Sequence, residues 1–142
     1  MNRQRIYRGK RPDTGAFVEG GLFYLPDGTP CIVTYADPDK FGFDWLEVPR
    51  DTVGEFTGVT DKNDKRVFED DIARIKHEGK TYVGIIQYDA LGVFIFVARG
   101  FGWVPLYKLA DDEMSQRNGQ KLTAIEIIGN IHDNPELLEA GK

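Results

Sequence analysis

One cysteine, one serine and two histidines are all this 142-residue chain holds of the side chains that most often carry nucleophilic and proton-transfer chemistry. The lone Cys31 excludes an intrachain disulfide framework and fits a reducing compartment. It follows Pro30 at the head of an apolar stretch, the setting of a buried structural thiol rather than a reactive one. Ser115, within Glu113-Met114-Ser115-Gln116, lacks the flanking glycines of a nucleophile elbow. His77 and His132 lie far apart in sequence with few ligand-type residues around either, so neither metal binding nor paired acid–base work is expected of them. No apolar run approaches the ~18 residues of a membrane-spanning helix. The basic start is not followed by the apolar stretch of a signal peptide. No membrane association is expected.

What the chain does hold is β-forming. Val, Ile and Thr number 29 and aromatics 17, against 19 Ala, Leu and Met, with 16 Gly and 7 Pro as punctuation. The formal charge of -5 is unevenly placed. Residues 1–12 carry Arg3, Arg5, Arg8, Lys10 and Arg11 without an acid, which is +5 and leaves -10 for the remaining 130 residues.

Short strands alternate with turns along most of the chain. Ile6-Tyr7-Arg8-Gly9 reads as an edge strand. Gly15 to Leu25 reads as a bent strand or hairpin with Gly20-Gly21 at the bend. Turn signals at Pro26-Asp27-Gly28 and Asp37-Pro38 bracket a strand from Cys31 to Tyr35, and Phe41 to Val48 forms another. These predict a β-hairpin subdomain over residues 1–50. Over 51–142, Glu55 to Gly58 is a short strand and Thr60 to Arg66 a polar turn. Ile72–Lys76, Tyr82–Tyr88 and Val93–Val97 make the strand–turn–strand meander of an SH3-like barrel, with a tight turn at His77-Glu78-Gly79-Lys80. Phe101-Gly102-Trp103 reads as a loop. Pro105 to Asn118 suggests a short amphipathic helix or an ordered excursion. Leu122, Ala124 and the run Ile125-Glu126-Ile127-Ile128 read as a closing strand that ends near Ile131. Asn134-Pro135-Glu136 starts a final helical turn with Asn134 as its cap, and Leu137 and Leu138 pack back on the barrel.

Three blocks carry a family resemblance. They are Tyr7-Arg8-Gly9-Lys10-Arg11 with Thr14 to Gly20; Asp51 to Gly58 with Asp61-Lys62-Asn63 and Val67 to Ile72; and Ile127-Ile128-Gly129-Asn130-Ile131-His132-Asp133-Asn134-Pro135-Glu136-Leu137-Leu138. In this order they resemble the YopX family of phage and prophage proteins. The family usually has Trp at the place of Phe17, an aromatic at Glu19, and Glu-Gly-Asp where this chain has Glu69-Asp70-Asp71. Since Asp tolerates left-handed backbone, Asp70 is expected to keep the turn at some strain. The resemblance implies a β-rich fold with an SH3-like portion, a phage origin and hence a bacterial host cytoplasm. It brings no activity and no catalytic residues.

Motif by motif, enzyme chemistry finds no foothold. Gly79-Lys80-Thr81 lacks the upstream glycine of a phosphate loop, position 74 being Arg. Asp61 to Ile72 fails as a calcium loop, with Lys65 and Arg66 at its fifth and sixth positions and Ile72 at its twelfth. No catalytic residue, cofactor or metal is expected. Glu69-Asp70-Asp71 reads as a turn whose carboxylates accept backbone hydrogen bonds, the alternative being a divalent-metal or partner contact. Two candidate interaction sites remain. Arg8, Lys10 and Arg11 either pair with the acidic remainder or contact nucleic acid, with Tyr7 and Phe17 as stacking partners. Phe101 and Trp103 either pack as core and cover or offer a ligand platform. The expectation is a non-enzymatic interaction or self-assembling module with a protein partner or a second copy, the alternative being a small nucleic-acid-binding module built on the basic start.

Overall fold

The computed structural model describes residues 5–34, 44–109 and 121–140. The chain is mainly β, with two antiparallel sheets, and divides into compact units Met1–Phe56 and Thr57–Lys142. Strands β1 (Tyr7–Lys10), β2 (Phe17–Tyr24), β3 (Pro30–Thr34), β4 (Asp44–Glu47), β5 (Gly54–Thr60) and β6 (Arg66–Phe68) form one sheet in the order β4-β3-β2-β1-β5-β6. The first unit runs on to Phe56 because the start of β5 pairs with β1, Tyr7 opposite Glu55 and Arg8 opposite Gly54.

β1 is therefore not the edge strand its shortness suggests. It pairs with β2 on its other side, Tyr7 opposite Gly20 through Lys10 opposite Phe17. β2 is one continuous strand rather than a hairpin. Its first half pairs with β1 and its second with β3, Gly21 opposite Val33. Gly20 stands at the changeover because a Cβ there would lie 1.9 Å from the Val33 carbonyl oxygen. Cys31, Ile32 and Val48 are buried in this unit. Pro26-Asp27-Gly28 turns as expected, Gly28 N–H donating to Leu25 O and Asp27 Oδ1 accepting from Thr29 N–H. Residues 35–43, part of an expected strand and turn, lie outside the described residues.

In the second unit, β7 (Asp71–His77), β8 (Lys80–Tyr88), β9 (Phe94–Ala98), β10 (Gly102–Pro105) and β11 (Ile125–Asn130) are ordered β10-β9-β8-β7-β11. The meander is present as β7-β8-β9. The expected SH3-like barrel is not closed: among the described residues β10 and β11 end the sheet, and nothing pairs them. Side-chain alternation separates two faces. Ala73, Ile75, Ile86, Phe96, Ile125 and Ile127 point to a buried core completed by Val67, Leu106, Leu109 and Leu122. Arg74, Lys76, Val83, Ile85, Val97 and Trp103 lie on the other face.

The segment Phe101-Gly102-Trp103 is not a loop; Gly102 opens β10, with Trp103 opposite Val97. Of the excursion expected over 105–118, a single 3-10 turn at Leu106–Leu109 is seen, and 110–118 lie outside the described residues. The closing helix α1 (Glu136–Ala140) is present, yet Asn134 does not cap it through its side chain. Its Oδ1 accepts from Asn130 N–H at 3.3 Å, while its backbone oxygen receives Leu137 N–H. Gly129 leaves room for this, since a Cβ there would stand 2.6 Å from Asn134 Oδ1.

The β7–β8 hairpin closes on two residues, Glu78 (φ 52°) and Gly79 (φ 79°), with His77 opposite Lys80. Two consecutive left-handed residues make a type I′ turn, which favours Asn at the first position. Replacing the exposed Glu78 with Asn should therefore raise stability by about 1 kcal/mol, read as a higher urea midpoint at unchanged slope.

Candidate interaction surfaces

The basic start folds onto one aromatic ring. Lys10 opposes Phe17 and Arg8 opposes Glu19, so all four side chains share a face of the β1–β2 pair. The Arg8 guanidinium lies 4.2 Å from the Phe17 ring centroid and the Lys10 ammonium 5.3 Å, both within cation–π range. Arg8 is only 8% exposed. Arg11 grips Asp13 through two hydrogen bonds of 3.1 and 3.2 Å. That pairing holds the Asp13 carboxyl below its ordinary range and raises the Arg11 guanidinium. Phe17 thus serves Arg8 and Lys10 as an intramolecular partner.

Phe101 and Trp103 have different fates. Phe101 packs inward, its ring centroid 5.1 Å from Tyr82, 5.8 Å from Phe96 and 5.6 Å from His77. Trp103, 62% exposed, projects from the terminal strand on the opposite face. Register places it beside Val97, and Val97 beside Ile85, in an unbroken apolar row. Val83, Ile85, Val97 and Leu138 of α1 line a groove of about 430 Å³.

The acidic turn organises the opposite end of this sheet. Asp71, buried, accepts Phe68 N–H at 2.8 Å. Asp70 keeps the turn in left-handed backbone at φ 73°, as its place in the pattern predicts. His132 Nε2 lies 3.7 Å from Asp70 Oδ2, a proximity that sequence separation concealed. Sequence reasoning also missed Asp61, read as part of a polar turn but fully buried. Its Oδ1 accepts Asn63 N–H and Lys65 N–H, each at 2.9 Å, and its Oδ2 accepts Ile127 N–H at 2.8 Å. Two of these donors are local, an Asx-turn signal available from sequence; the third comes from β11. Among the described residues no group of three or more His, Cys, Asp or Glu could hold a metal ion.

Asp61→Ala leaves three backbone donors without their acceptor and should cost at least about 3 kcal/mol, with Asp61→Asn intermediate because one carbonyl oxygen remains; urea unfolding measures both. Burial, aided by the charges of Glu47 and Asp27, raises the Cys31 thiol above its ordinary value. Iodoacetamide at pH 8 should accordingly label Cys31 far more slowly in the folded chain than in urea, as mass spectrometry would read directly.

The three sequence blocks meet through the same contacts. The first is stitched to the second by the β1–β5 pairing and by Lys10 N–H donating to Thr52 Oγ1 at 3.1 Å. The second is stitched to the third by Asp61 with Ile127, by Ile131 N–H donating to Asp70 O, and by Asp71 opposite Asn130. A family model described as YopX protein matches residues 6–139 and so spans all three blocks. No curated protein matches the chain. Blocks that interlock in this way, under a match of nearly the whole length, place the chain in the YopX family.

Proposed function

We propose that the chain is a non-enzymatic protein-interaction module of phage or prophage origin, and that it engages its partner through the outer face and free edge of the five-stranded sheet. The observation carrying this reading is Trp103, 62% exposed at the head of the row Trp103–Val97–Ile85. Tryptophan is expensive to leave in water and is enriched at the centres of protein contacts. The row runs into the groove beside Leu138, giving an apolar anchor a place to seat. Among the described residues β10 beyond it ends the sheet, and an edge strand offers backbone groups for pairing with an added strand. A second copy of the chain is the simplest occupant, since an isologous contact needs only this one surface. The nucleic-acid alternative has less support: Arg8 lies over Phe17 and Arg11 is held by Asp13.

Light scattering and sedimentation over a hundredfold concentration range test the self-association. The wild type should gain mass with concentration. Trp103→Ala should weaken association about tenfold or more without lowering the unfolding midpoint, because the side chain is exposed. A monomer at every concentration removes the second copy as occupant. Failure of wild-type chain to capture any protein that Trp103→Ala loses, from phage-infected cells, removes the interaction reading itself.

A further inference from the structure

A second concavity lies on the second unit, at the open flank of β7, and its chemistry is ionic. Arg74 and Lys76 stand two residues apart on β7 and therefore share a face. β11 begins at Ile125, opposite Ile75. Arg74 consequently has a cross-strand partner in Glu126, whereas among the described residues Lys76 pairs with β8 only, with Thr81 opposite. The chain turns away before β11, Ala124 N–H donating to Leu109 O, and leaves a recess of about 260 Å³. Lys62, Arg74, Lys76, Thr123 and Glu126 line it. Lys62 is brought there by the buried Asp61 carboxylate, which ties its loop to β11, and by its own N–H donating to Ile125 O at 3.0 Å.

The charge balance of the recess runs against that of the chain. Three cations face one carboxylate, in a protein of net charge -5. The carboxylate is already engaged: Glu126 Oε1 accepts from Arg74, and Oε2 accepts from Asn63 Nδ2 at 3.5 Å. The Arg74 bond is the main reason the Glu126 carboxyl sits below its ordinary range, so the pair holds at neutral pH and is lost only as pH falls through that lowered value. Glu126 thus orients the guanidinium more than it neutralises the recess. Lys62 acts on the Glu126 carboxylate through its charge, without an ion pair at bonding distance, and among the described residues Lys76 makes no ion pair. Three cations thus share one carboxylate, leaving the recess with an excess of positive charge.

We propose that this recess is a binding site for the phosphate group of a small molecule. A tetrahedral dianion presents oxygens in several directions, which suits one oriented guanidinium and two flexible ammonium groups better than a flat monoanionic carboxylate does. A concave wall of one sign focuses potential on such a ligand even when the whole protein is acidic. The volume admits the phosphate with a few more atoms and falls short of the ~300 Å³ at which sites for larger organic ligands begin. The site is independent of Trp103, so it stands whether or not the sheet edge binds a partner.

Titration of the full chain with inorganic phosphate at constant ionic strength, followed by backbone amide NMR shifts, tests the proposal. Saturable shifts are expected around residues 62–65, 74–76 and 123–126. Lys62→Gln with Lys76→Gln should weaken phosphate binding by about tenfold or more, whereas Lys108→Gln, outside the lining of the recess, should leave it unchanged. Phosphate should also raise the thermal midpoint of the wild type and not that of the double variant, which separates loss of binding from loss of folding. Shifts that never saturate, or that persist in the double variant, would overturn the assignment. A response to a single-stranded oligonucleotide with none to inorganic phosphate or a nucleoside monophosphate also overturns it, in favour of polymer contact.

Discussion

A single buried carboxylate, that of Asp61, holds the second unit in register. A carboxylate taken out of water is costly unless donors replace its hydration, and here three backbone N–H groups do so. Two belong to its own loop and one to β11. The same group thus shapes the turn that follows β5 and sets where the closing strand begins. With Ile127 held by Asp61, Ile125 falls opposite Ile75 and Ile127 opposite Ala73, which directs both isoleucines into the core. A slip of one residue would turn the alternation over and send Glu126 inward.

The residues behind the family resemblance act mainly as fasteners. Thr52, Asp61, Asp70, Asp71, Gly129 and Asn134 all take part in contacts or close approaches that bring distant parts of a unit together. Neither proposed binding surface depends chiefly on them. Trp103 and the row beside it lie outside the three blocks, and of the cationic recess Lys62 alone lies within one. The recurring pattern thus specifies a framework, while the surfaces proposed for binding are built mostly from residues between the fastening points.

Local signals were legible in the sequence wherever local forces decide the outcome. The turns at Pro26-Asp27-Gly28 and Glu78-Gly79 follow from backbone preferences of the residues themselves, and the left-handed Asp70 follows from a position where glycine is usual. Longer-range features were not legible. β1 has the look of an edge strand because nothing near it in sequence announces β5 as its second partner. Gly100 and Gly102 suggest a loop, yet pairing with β9 outweighs their flexibility and makes Trp103 a strand residue. Composition marks Thr60 to Arg66 as solvated, and Asp61 is buried because Ile127 supplies a donor from across the sheet. The basic start shows the same division: Phe17 reads from sequence as a stacking residue for nucleic acid, and the strand pairing that makes it the ring under Arg8 and Lys10 is not announced locally.

The dependence of β7 on β11 also bears on the order in which the chain is made. A ribosome delivers Asp61 and β7 well before Ile127, so for much of synthesis the carboxylate lacks its third donor and one flank of β7 is bare. Non-local strands of this kind join late and expose their edges until they do. The second unit therefore completes its core only after its last strand has left the exit tunnel. A nascent chain stalled before Ile125 would be an aggregation-prone fragment and a target for proteases, with no smaller version of the domain to fall back on.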